Sequence, residues 1–429
     1  MRDVEKWQLK RLEEIGDIYS GSTPSTTKSS FWNGDIIWVT PNDLSQLNTP
    51  YLTTSGKKIT LEGLKSCSSH ILPSGSIILS SRAPIGYIAI STVEFCTNQG
   101  CKSFNLKEQY NSEFVYYNLN FNINKIKSLG EGTTFAEISK TALGKVEILF
   151  LENKEEQEKI AAVLSTIDRA IAQTEAIIAK QQRIKTGLMQ DLLTKGIDEN
   201  GNIRSEATHE FKDSAMGRIP IEWGVESLDN CVMANAPICY GILMPGFYYN
   251  AGVPVIKVKD IIGGSIIQDD LLLTDPKIDR QYQRSRLLEK DLLITIRGTT
   301  GRVALVPSEL RGANITQDTA RVRLQDDYSK DFFYFLLQSF PVQYQVSLHT
   351  LGQAVKGINI AELKKIHISL PPLEEQEMIA QKLNQITIYL RCVQEDLIKL
   401  KQQKTGLMQD LLTGKVRVTN LLKQKAATN

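Results

Sequence analysis

The sequence predicts an α+β protein in which two similar globular domains are joined by two long helices, packed against each other as an antiparallel coiled coil. Three observations predict this fold. The ten residues from Lys185 to Thr194 return unchanged as Lys404 to Thr413, at an offset of 219. Apolar residues recur at heptad spacing through each copy of the repeat, and short apolar runs fill the rest of the chain. The repeat implies two halves related by a pseudo-two-fold axis.

The repeat also divides the chain into domains. We expect a first globular domain, a first long helix, a linker, a second globular domain, a second long helix and a tail, at residues 1–150, 151–196, 197–210, 211–372, 373–414 and 415–429. The linker is predicted from its polar, turn-rich composition. A chain of 429 residues is long enough for each domain to have its own hydrophobic core.

Each long helix has an apolar seam at alternating spacings of four and three residues, which is typical of a coiled coil. The seam residues are Ile160, Leu164, Ile167 and Ile171 in the first helix, and Ile379, Leu383, Ile386, Leu390, Val393 and Leu397 in the second. Thr174, Gln181 and Lys185 make the first seam partly polar, which either fixes the register or leaves a face for a partner. Each helix begins in a cluster of glutamates and ends near Gly196 or Gly414, as the helix dipole and C-terminal capping favour.

Short apolar runs broken by turn residues predict strands within each globular domain. They cover residues 36–39, 76–80, 87–90 and 146–150 in the first domain, and 253–258, 292–296, 303–306 and 366–370 in the second. Amphipathic spacing predicts helices over residues 114–121 and 332–340. The expected fold of each domain is therefore α+β with a curled sheet.

The two globular domains resemble each other only in outline. Their matched positions include Asn42 with Lys259, Arg82 with Arg297, and Gln99 with Gln317. The shared glutamines favour a scaffold role, whereas the chemical difference between Asn42 and Lys259 suits a position that determines specificity. Because the helices are near-identical at their ends and the domains are not, we interpret the chain as one scaffold that carries two recognition surfaces.

Composition excludes several classes of protein. No run approaches the roughly 20 apolar residues of a membrane span, and residues 1–6 lack the apolar core of a signal peptide. We therefore expect a soluble, cytoplasmic protein with no membrane partner. The six cysteines and four histidines do not have metal-ligand spacing, so we expect no metal site and no cofactor.

The net charge of +2 does not indicate a nucleic-acid binder, so a DNA contact needs a local patch. The strongest candidate is a cationic stretch from Arg280 to Arg302 that includes Arg284, Arg286 and Arg297. Its alternative interpretation is an ordinary solvated face.

Catalytic motifs are absent or incomplete. The run Leu370-Pro371-Pro372-Leu373 lacks the polar first and aromatic last residues with which an amino-methyltransferase loop binds and stacks a flipped base. The chain has no phosphate-binding loop ending in Gly-Lys-Ser/Thr. Glu152-Asn153-Lys154 has the spacing of some nuclease motifs but no identifiable carboxylate partner for a metal site. We therefore expect a non-catalytic protein.

The order of domain, long helix, similar domain and near-identical long helix resembles the specificity subunit of type I restriction-modification enzymes. The motifs do so too. Glu-Glu-Gln-Glu-x-Ile-Ala opens the helices at Glu155 and Glu374, and Lys-Thr-Gly-Leu-Met-Gln-Asp-Leu-Leu-Thr closes both. The segments Leu370–Gln376 and Gly217–Trp223 also fit that family. The resemblance covers essentially the whole chain, and its motifs together are highly specific.

The resemblance implies two target recognition domains, each reading one half of a bipartite site in double-stranded DNA. It also implies that the helices set the half-site spacing and dock two methyltransferase (modification) subunits, while restriction and translocase subunits join through the complex. Domains related by a pseudo-two-fold axis would face opposite DNA strands in equivalent orientation. One inserted heptad would change the spacing by about 10 Å, or roughly three base pairs.

Under this resemblance, cations and amides at strand ends and in loops are the candidate DNA contacts, because Arg reads guanine, Asn and Gln read adenine, and Lys binds phosphate. The candidates are Lys28, Asn42, Arg82, Lys102, Lys259, Arg284, Arg286, Arg297 and Lys356. For Arg82 and Arg297, a structural salt bridge is an equally favoured alternative.

Two alternative functions stay open. The recognition subunit of a fused nuclease-methyltransferase system would have a similar chain, and only its neighbouring subunits would distinguish it. A non-enzymatic coiled-coil scaffold would not bind DNA at all. The scaffold leaves unexplained why the globular domains differ more than the helices.

Overall fold

A computed structural model describes residues 7–130, 137–350 and 357–418 and contains both α-helices and β-strands, as the sequence predicts. Its strands pair both in parallel and antiparallel, which the sequence analysis did not address. These residues form two compact units. Unit 1 comprises the described residues up to Glu175 together with those from Glu395 onward, and unit 2 comprises Ala176–Gln394. Each long helix therefore contributes one half to each unit.

The two long helices form where the heptad pattern predicts them, at Lys154–Leu192 and Leu373–Leu412. All the predicted seam residues are buried or half-buried, and Ile160, Leu164, Ile379 and Leu383 are fully buried. Two ion pairs show how the helix halves run within unit 1. Lys404 Nζ lies 2.7 Å from Asp168 Oδ1, and Lys401 Nζ lies 2.8 Å from Glu175 Oε1. Residue numbers rise on one helix as they fall on the other, so these two halves are antiparallel.

A buried glutamate fixes the start of each long helix. In unit 2, Glu375 accepts hydrogen bonds from Arg204 Nη1 (2.5 Å), the backbone nitrogen of Ile197 (2.9 Å) and Trp223 Nε1 (3.1 Å). In unit 1, Glu156 pairs with Arg417, whose Nε lies 2.7 Å from Glu156 Oε1. Both carboxylates therefore hold the segment that follows the end of the other long helix. Their burial is tolerated because each carboxylate is paired and hydrogen-bonded.

The glutamine after each buried glutamate has a second structural role. Gln157 accepts a hydrogen bond from the backbone nitrogen of Asn111 (2.8 Å), and Gln376 accepts one from that of Ser329 (3.0 Å). Asn111 and Ser329 are the N-caps of equivalent short helices in the two units. The Glu-Gln pair thus ties the start of each long helix to its own globular domain, a role beyond the helix-dipole effect expected from the sequence.

Unit 1 contains three sheets. A five-stranded sheet has the spatial order Gly16–Ser20, Cys101–Leu106, Ile77–Ser80, Ile88–Ser91 and Tyr51–Leu52. A three-stranded sheet has the order Lys57–Ile59, Trp32–Val39 and Phe95–Thr97. In the third sheet, Trp7–Arg11 pairs with Glu147–Leu151. The short helices are Leu12–Ile15, Pro41–Ser45, Leu61–Lys65, Ser112–Phe121, Ile123–Lys127 and Lys140–Gly144, with a 3-10 turn at Ser29–Phe31. The four strands predicted in this domain are present, with small shifts at their ends.

Unit 2 repeats this plan. Its four-stranded sheet has the order Cys239–Tyr240, Thr319–Val322, Leu292–Thr295 and Val303–Leu305. Its three-stranded sheet has the order Leu272–Thr274, Val253–Ile256 and Asn314–Ile315. A two-stranded sheet pairs Gly224–Ser227 with His367–Leu370. Two further hairpins pair Phe211–Ser214 with Gly217–Pro220 and Ile261–Ile262 with Ser265–Ile266. In both three-stranded sheets the central strand is antiparallel to one neighbour and parallel to the other.

The short helices of unit 2 correct two predictions. They are Pro276–Gln281, Lys330–Leu336, Phe340–Leu348 and Ile360–Lys364, with 3-10 turns at Leu228–Cys231, Val258–Asp260, Gln283–Ser285 and Ser308–Leu310. The helix predicted over residues 332–340 is present but ends at Leu336, because Ser339 is the N-cap of a second helix with a proline in its first turn. The strand predicted over residues 253–258 ends at Ile256, because the carboxylate of Asp260 bonds to the backbone of Lys257 and starts a 3-10 turn.

Glycines end the long helices in a conformation that other residues rarely adopt. Gly196 has a φ of +66° and Gly414 a φ of +73°. A Cβ added at Gly196 would overlap the Glu375 carboxylate and the Trp223 ring, and one added at Gly414 would overlap the Trp7 ring. Each helix end is therefore packed closely against an aromatic residue from the start of a globular domain.

Alanine substitutions at four glycines should have opposite effects. Gly196→Ala and Gly414→Ala should each lower the free energy of unfolding by about 1–3 kcal/mol, because they combine strain with overlap. Gly187→Ala and Gly406→Ala should each raise it by about 0.5–1 kcal/mol, since these glycines lie inside the helices, where an added Cβ meets nothing within 4 Å. Chemical denaturation measures all four. Similar effects at the four positions would contradict the left-handed conformation and close packing of Gly196 and Gly414.

Candidate nucleic-acid interface

One matched run of sequence forms the same turn in both units. In unit 1 the Asp43 carboxylate accepts a hydrogen bond from the backbone nitrogen of Thr40 (2.8 Å), and in unit 2 Asp260 accepts one from that of Lys257 (2.8 Å). These turns carry Asn42 and Lys259. Both candidates are exposed, so equivalent surface positions present an amide in one unit and an ammonium group in the other.

A second matched turn carries Arg82 in unit 1 and Arg297 in unit 2. In each unit the last residue of the preceding strand, Ser80 or Thr295, bridges this turn through its hydroxyl group. The hydroxyl donates a hydrogen bond to a backbone carbonyl, that of Pro84 or Thr299, and accepts one from a backbone nitrogen, that of Tyr87 or Arg302. The two arginines therefore leave equivalent positions of one framework.

The residue opposite this arginine differs between the units. Arg82 forms an isolated β-bridge with Glu137, whereas Arg297 forms one with Gly357. Arg82 Nη2 lies 2.9 Å from Glu137 Oε2, so its guanidinium group is paired. Gly357 offers no carboxylate, and Arg297 is exposed with no ion pair to the residues that the structure describes. Of the two roles considered from the sequence, the salt bridge is present in unit 1, and unit 2 keeps an arginine available for a ligand.

Glu137 also holds the buried Lys102. Lys102 is 3% exposed, and its Nζ lies 3.5 Å from Glu137 Oε1 and 3.3 Å from Ser81 Oγ. Burial lowers the pKa of Lys102. Burial raises the pKa of Glu137, but its hydrogen bonds and charge interactions with Arg82 and Lys102 outweigh this effect, so the net shift is downward. Such burial argues against the predicted contact between Lys102 and DNA.

An open cleft of about 700 Å³ lies beside Arg297 in unit 2. Its lining includes Tyr240, Leu243, Gln317, His349 and Asn359. Guanidinium and amide groups at one cleft can bind base edges or phosphates. The cleft is thus the part of unit 2 where several groups suited to nucleic-acid recognition converge.

The matched glutamines Gln99 and Gln317 hold a surface loop in each unit. Gln99 accepts a hydrogen bond from the Thr23 hydroxyl. With its amide oxygen and nitrogen exchanged, which satisfies both groups, Gln317 donates to the carbonyl groups of Ile242 (2.8 Å) and Leu243 (2.9 Å). These contacts agree with the scaffold role that their identity favoured.

The remaining candidates have different surroundings. Lys28 is exposed, with its Nζ 5.1 Å from the centre of the Phe31 ring. Arg284 is exposed above the Tyr240 ring, 5.5 Å from its centre. Arg286 binds the buried Asp279, with Nε 2.8 Å from its carboxylate, so part of the cationic stretch stabilises the fold. The candidate Lys356 lies outside the described residues.

Sequence reasoning missed a loop of unit 2 that exposes large apolar side chains. Leu243 is 51% exposed, Met244 76%, Phe247 97%, Tyr248 65% and Tyr249 48%. The signal was present in the sequence, because the run Leu-Met-Pro-Gly-Phe-Tyr-Tyr fits neither a helical nor a strand period. Contiguous exposed apolar surface marks interaction sites.

Within the residues that the structure describes, no three or more His, Cys, Asp or Glu side chains form a group that could hold a metal ion. No helix in this part of the chain has the length and apolar character needed to cross a membrane.

Two domains with one framework and different exposed groups, joined to a repeated pair of helices, define a class of protein with paired recognition domains. The family profile described as "Type I restriction modification DNA specificity domain" matches residues 4–182 and 232–402. The chain belongs to this family and contains its domain twice. The resemblance seen in the sequence is therefore confirmed.

Individual relatives agree with the family. The type I restriction enzyme MjaIX specificity subunit of Methanocaldococcus jannaschii is 28% identical over 428 residues, covering 97% of this chain and 94% of that protein. The EcoBI specificity subunit of Escherichia coli is 26% identical and covers 73% of this chain and 66% of that protein. The crystal structure of a type I restriction-modification S subunit from M. genitalium has a TM-score of 0.58 at 16% identity, covering 96% of this chain and 97% of that one, which shows a shared fold.

The carboxylate of Glu137 should make stability depend on pH. Its folded pKa lies below the ordinary value of 4.5, so its contribution is complete above that pH and is lost as pH falls through the folded pKa. Glu137→Gln should therefore be less stable than the parent chain at pH 7, and the difference should shrink below about pH 4.5. Denaturant unfolding between pH 3 and pH 7 measures this. A difference independent of pH would contradict the Arg82–Glu137–Lys102 network.

Proposed function

We propose that this chain is the DNA sequence-recognition subunit of a type I restriction-modification complex, and that each unit reads one half of a bipartite site in double-stranded DNA. The observation that carries the proposal is a shared framework with different exposed groups. Asn42 in unit 1 is replaced by Lys259 in unit 2, and the paired Arg82 is replaced by Arg297, which has no ion pair to the described residues. A common framework would face the two half-sites in the same way, while the different groups select different bases.

The contacts in unit 2 would centre on the cleft beside Arg297. A guanidinium group that is not paired with an acid is free to bind guanine O6 and N7 together, or a phosphate. Arg284 and Lys259 are exposed cations of the same unit and would bind phosphates. In unit 1, Lys28 and Asn42 would serve as the exposed contacts, since Arg82 and Lys102 are held by Glu137.

The two long helices would pack as an antiparallel coiled coil and set the spacing of the half-sites. Support comes from the buried and half-buried seam residues and from the Lys404–Asp168 and Lys401–Glu175 ion pairs in unit 1. At about 1.5 Å per residue, helices of 39 and 40 residues are roughly 60 Å long. A change in helix length would then change the number of unspecified bases between the half-sites.

The chain would be a non-catalytic subunit whose partners perform the chemistry. Two methyltransferase subunits would dock on the helices, and restriction and translocase subunits would join through the complex. Exposed Ile388 and Tyr389 on the second long helix support a docking surface, because large apolar groups on a helix face are typical of an interface. The repeated helices would offer equivalent surfaces to two identical subunits.

Methylation mapping tests the proposed function directly. The chain and the neighbouring methyltransferase should be co-expressed in a host without another copy, and host DNA sequenced by a single-molecule method that detects N6-methyladenine. We expect a split motif, two short defined blocks around a fixed run of unspecified bases, which disappears when this chain is deleted. Methylation that persists with an unchanged motif would exclude the proposal and favour a coiled-coil scaffold.

Arg297→Ala and Arg82→Ala form a matched pair for DNA binding. A bidentate arginine–guanine contact contributes about 1–3 kcal/mol of discrimination, so Arg297→Ala should weaken specific binding by roughly tenfold to a hundredfold and relax one position of one half-site. Arg82→Ala should have a smaller effect on affinity, because Arg82 is engaged with Glu137. Fluorescence anisotropy of the methyltransferase complex with matched duplexes measures both. Equal losses would show that the ion pair does not withhold Arg82 from DNA.

A further inference from the structure

The exposed apolar loop of unit 2, Leu243–Tyr249, has a polar counterpart in unit 1. The two loops begin at equivalent points, because Ser22 donates its backbone N–H to the Thr97 carbonyl (2.9 Å) and Ile242 donates to the Ile315 carbonyl (2.7 Å). Residues 25–30 of unit 1 are Ser-Thr-Thr-Lys-Ser-Ser, and all six are exposed. The same framework thus presents hydroxyl groups in one unit and aromatic groups in the other.

The backbone of the apolar loop is held in place although its side chains are exposed. The buried Thr274 hydroxyl donates to the Pro245 carbonyl (2.6 Å), and the backbone nitrogen of Tyr249 donates to the Leu273 carbonyl (2.8 Å). Gly246 provides the left-handed turn between these two contacts, with a φ of +71°. The apolar side chains are therefore presented on an organised backbone, which reduces the entropic cost of binding.

The surroundings of the loop favour DNA over a protein partner. Leu243 lines the cleft beside Arg297, and Arg284 covers the ring of the neighbouring Tyr240. No acidic residue occurs in the sequence between Asp229 and Asp260. Aromatic rings on a stretch of sequence without acids, with Arg284 and Arg297 beside it, complement a polyanion whose bases offer flat apolar faces.

We propose that loop Leu243–Tyr249 is a wedge that enters the DNA duplex, with Phe247 inserted between adjacent base pairs of the half-site that unit 2 reads. The inference rests on the proposed function and extends it from base-edge recognition to deformation of the DNA. Apolar wedges of Phe, Leu or Met partly unstack a base step and kink the duplex. Unit 2 would thereby select steps that unstack easily, at positions where it makes no hydrogen bond to a base edge. Unit 1, with a hydroxyl-rich loop, would not select such steps.

The test uses the full chain in complex with its methyltransferase and duplexes that carry the split motif found by methylation mapping. Phe247→Ala should lower affinity about tenfold to a hundredfold, as expected for loss of one stacked base contact. Because the lost contact is apolar, the slope of affinity against salt concentration should be unchanged, whereas Arg284→Ala, which removes a proposed phosphate contact, should reduce it. Phe247→Trp should retain most of the affinity.

A fluorescent base reports the wedge itself. We place 2-aminopurine at successive positions of the half-site read by unit 2, away from the methylated adenine. Its fluorescence should rise on binding at one step, and this rise should be lost in Phe247→Ala. Phe340→Ala is the matched control, since Phe340 is 78% exposed in the same unit but lies outside the loop Leu243–Tyr249. It should bind and unstack DNA as the parent chain does.

Several outcomes would overturn the wedge. Unchanged affinity and an unchanged fluorescence rise in Phe247→Ala would exclude it, and so would loss of the methyltransferase subunit from that variant, which would identify the loop as a protein-docking surface. These results leave the split motif intact and are distinct from failure of the proposed function. If the proposed function itself failed, the parent complex would methylate no split motif.

Discussion

The buried glutamate at the start of each long helix is the interaction on which the rest of each unit depends. A carboxylate removed from water is stable only when cations and N–H donors surround it. Glu375 meets this need with Arg204, Trp223 and the backbone of Ile197, and Glu156 meets it with Arg417. Each buried carboxylate thereby holds three parts of the chain at one point: the start of one long helix, the segment after the other long helix and the edge of a globular domain. A surface carried by such a globular domain is positioned by the helices rather than by flexible loops.

Identical sequences nevertheless have different surroundings in the two units. Lys404 and Lys185 occupy the same position of the exact repeat and lie over the matched rings of Tyr117 and Phe335, but Lys404 also pairs with Asp168. The residue that corresponds to Asp168 in the second helix is Thr387. Burial lowers the pKa of Lys185. The repeat therefore preserves the buried glutamates and their arginine partners more strictly than the ion pairs along the seam.

Much of the fold could be predicted from the sequence because it depends on local periodicity. The heptads located Lys154–Leu192 and Leu373–Leu412, and the apolar runs located the central strands of both units. The candidate site was harder, because its decisive contacts join residues far apart in the chain. The pairing of Arg82 with Glu137, and its loss through Gly357, depends on bridges between strand ends and later loops that no local pattern reveals. The loop Leu243–Tyr249 was missed for a different reason, since an apolar run is normally interpreted as core.

The comparison of the two units shows how one framework carries different exposed groups. A glutamate at residue 137 engages Arg82 and the buried Lys102 together, so unit 1 uses two of its cations for stability. In unit 2 the matched residue is Gly357, the equivalent Arg297 has no ion pair to the described residues, and an aromatic loop stands where unit 1 has a hydroxyl-rich one. Both differences lie at the edge of the shared framework, and neither requires a new strand or helix. The exposed chemistry of the two units therefore differs through a few side chains, while the buried glutamate at the start of each long helix and its arginine partner are kept in both.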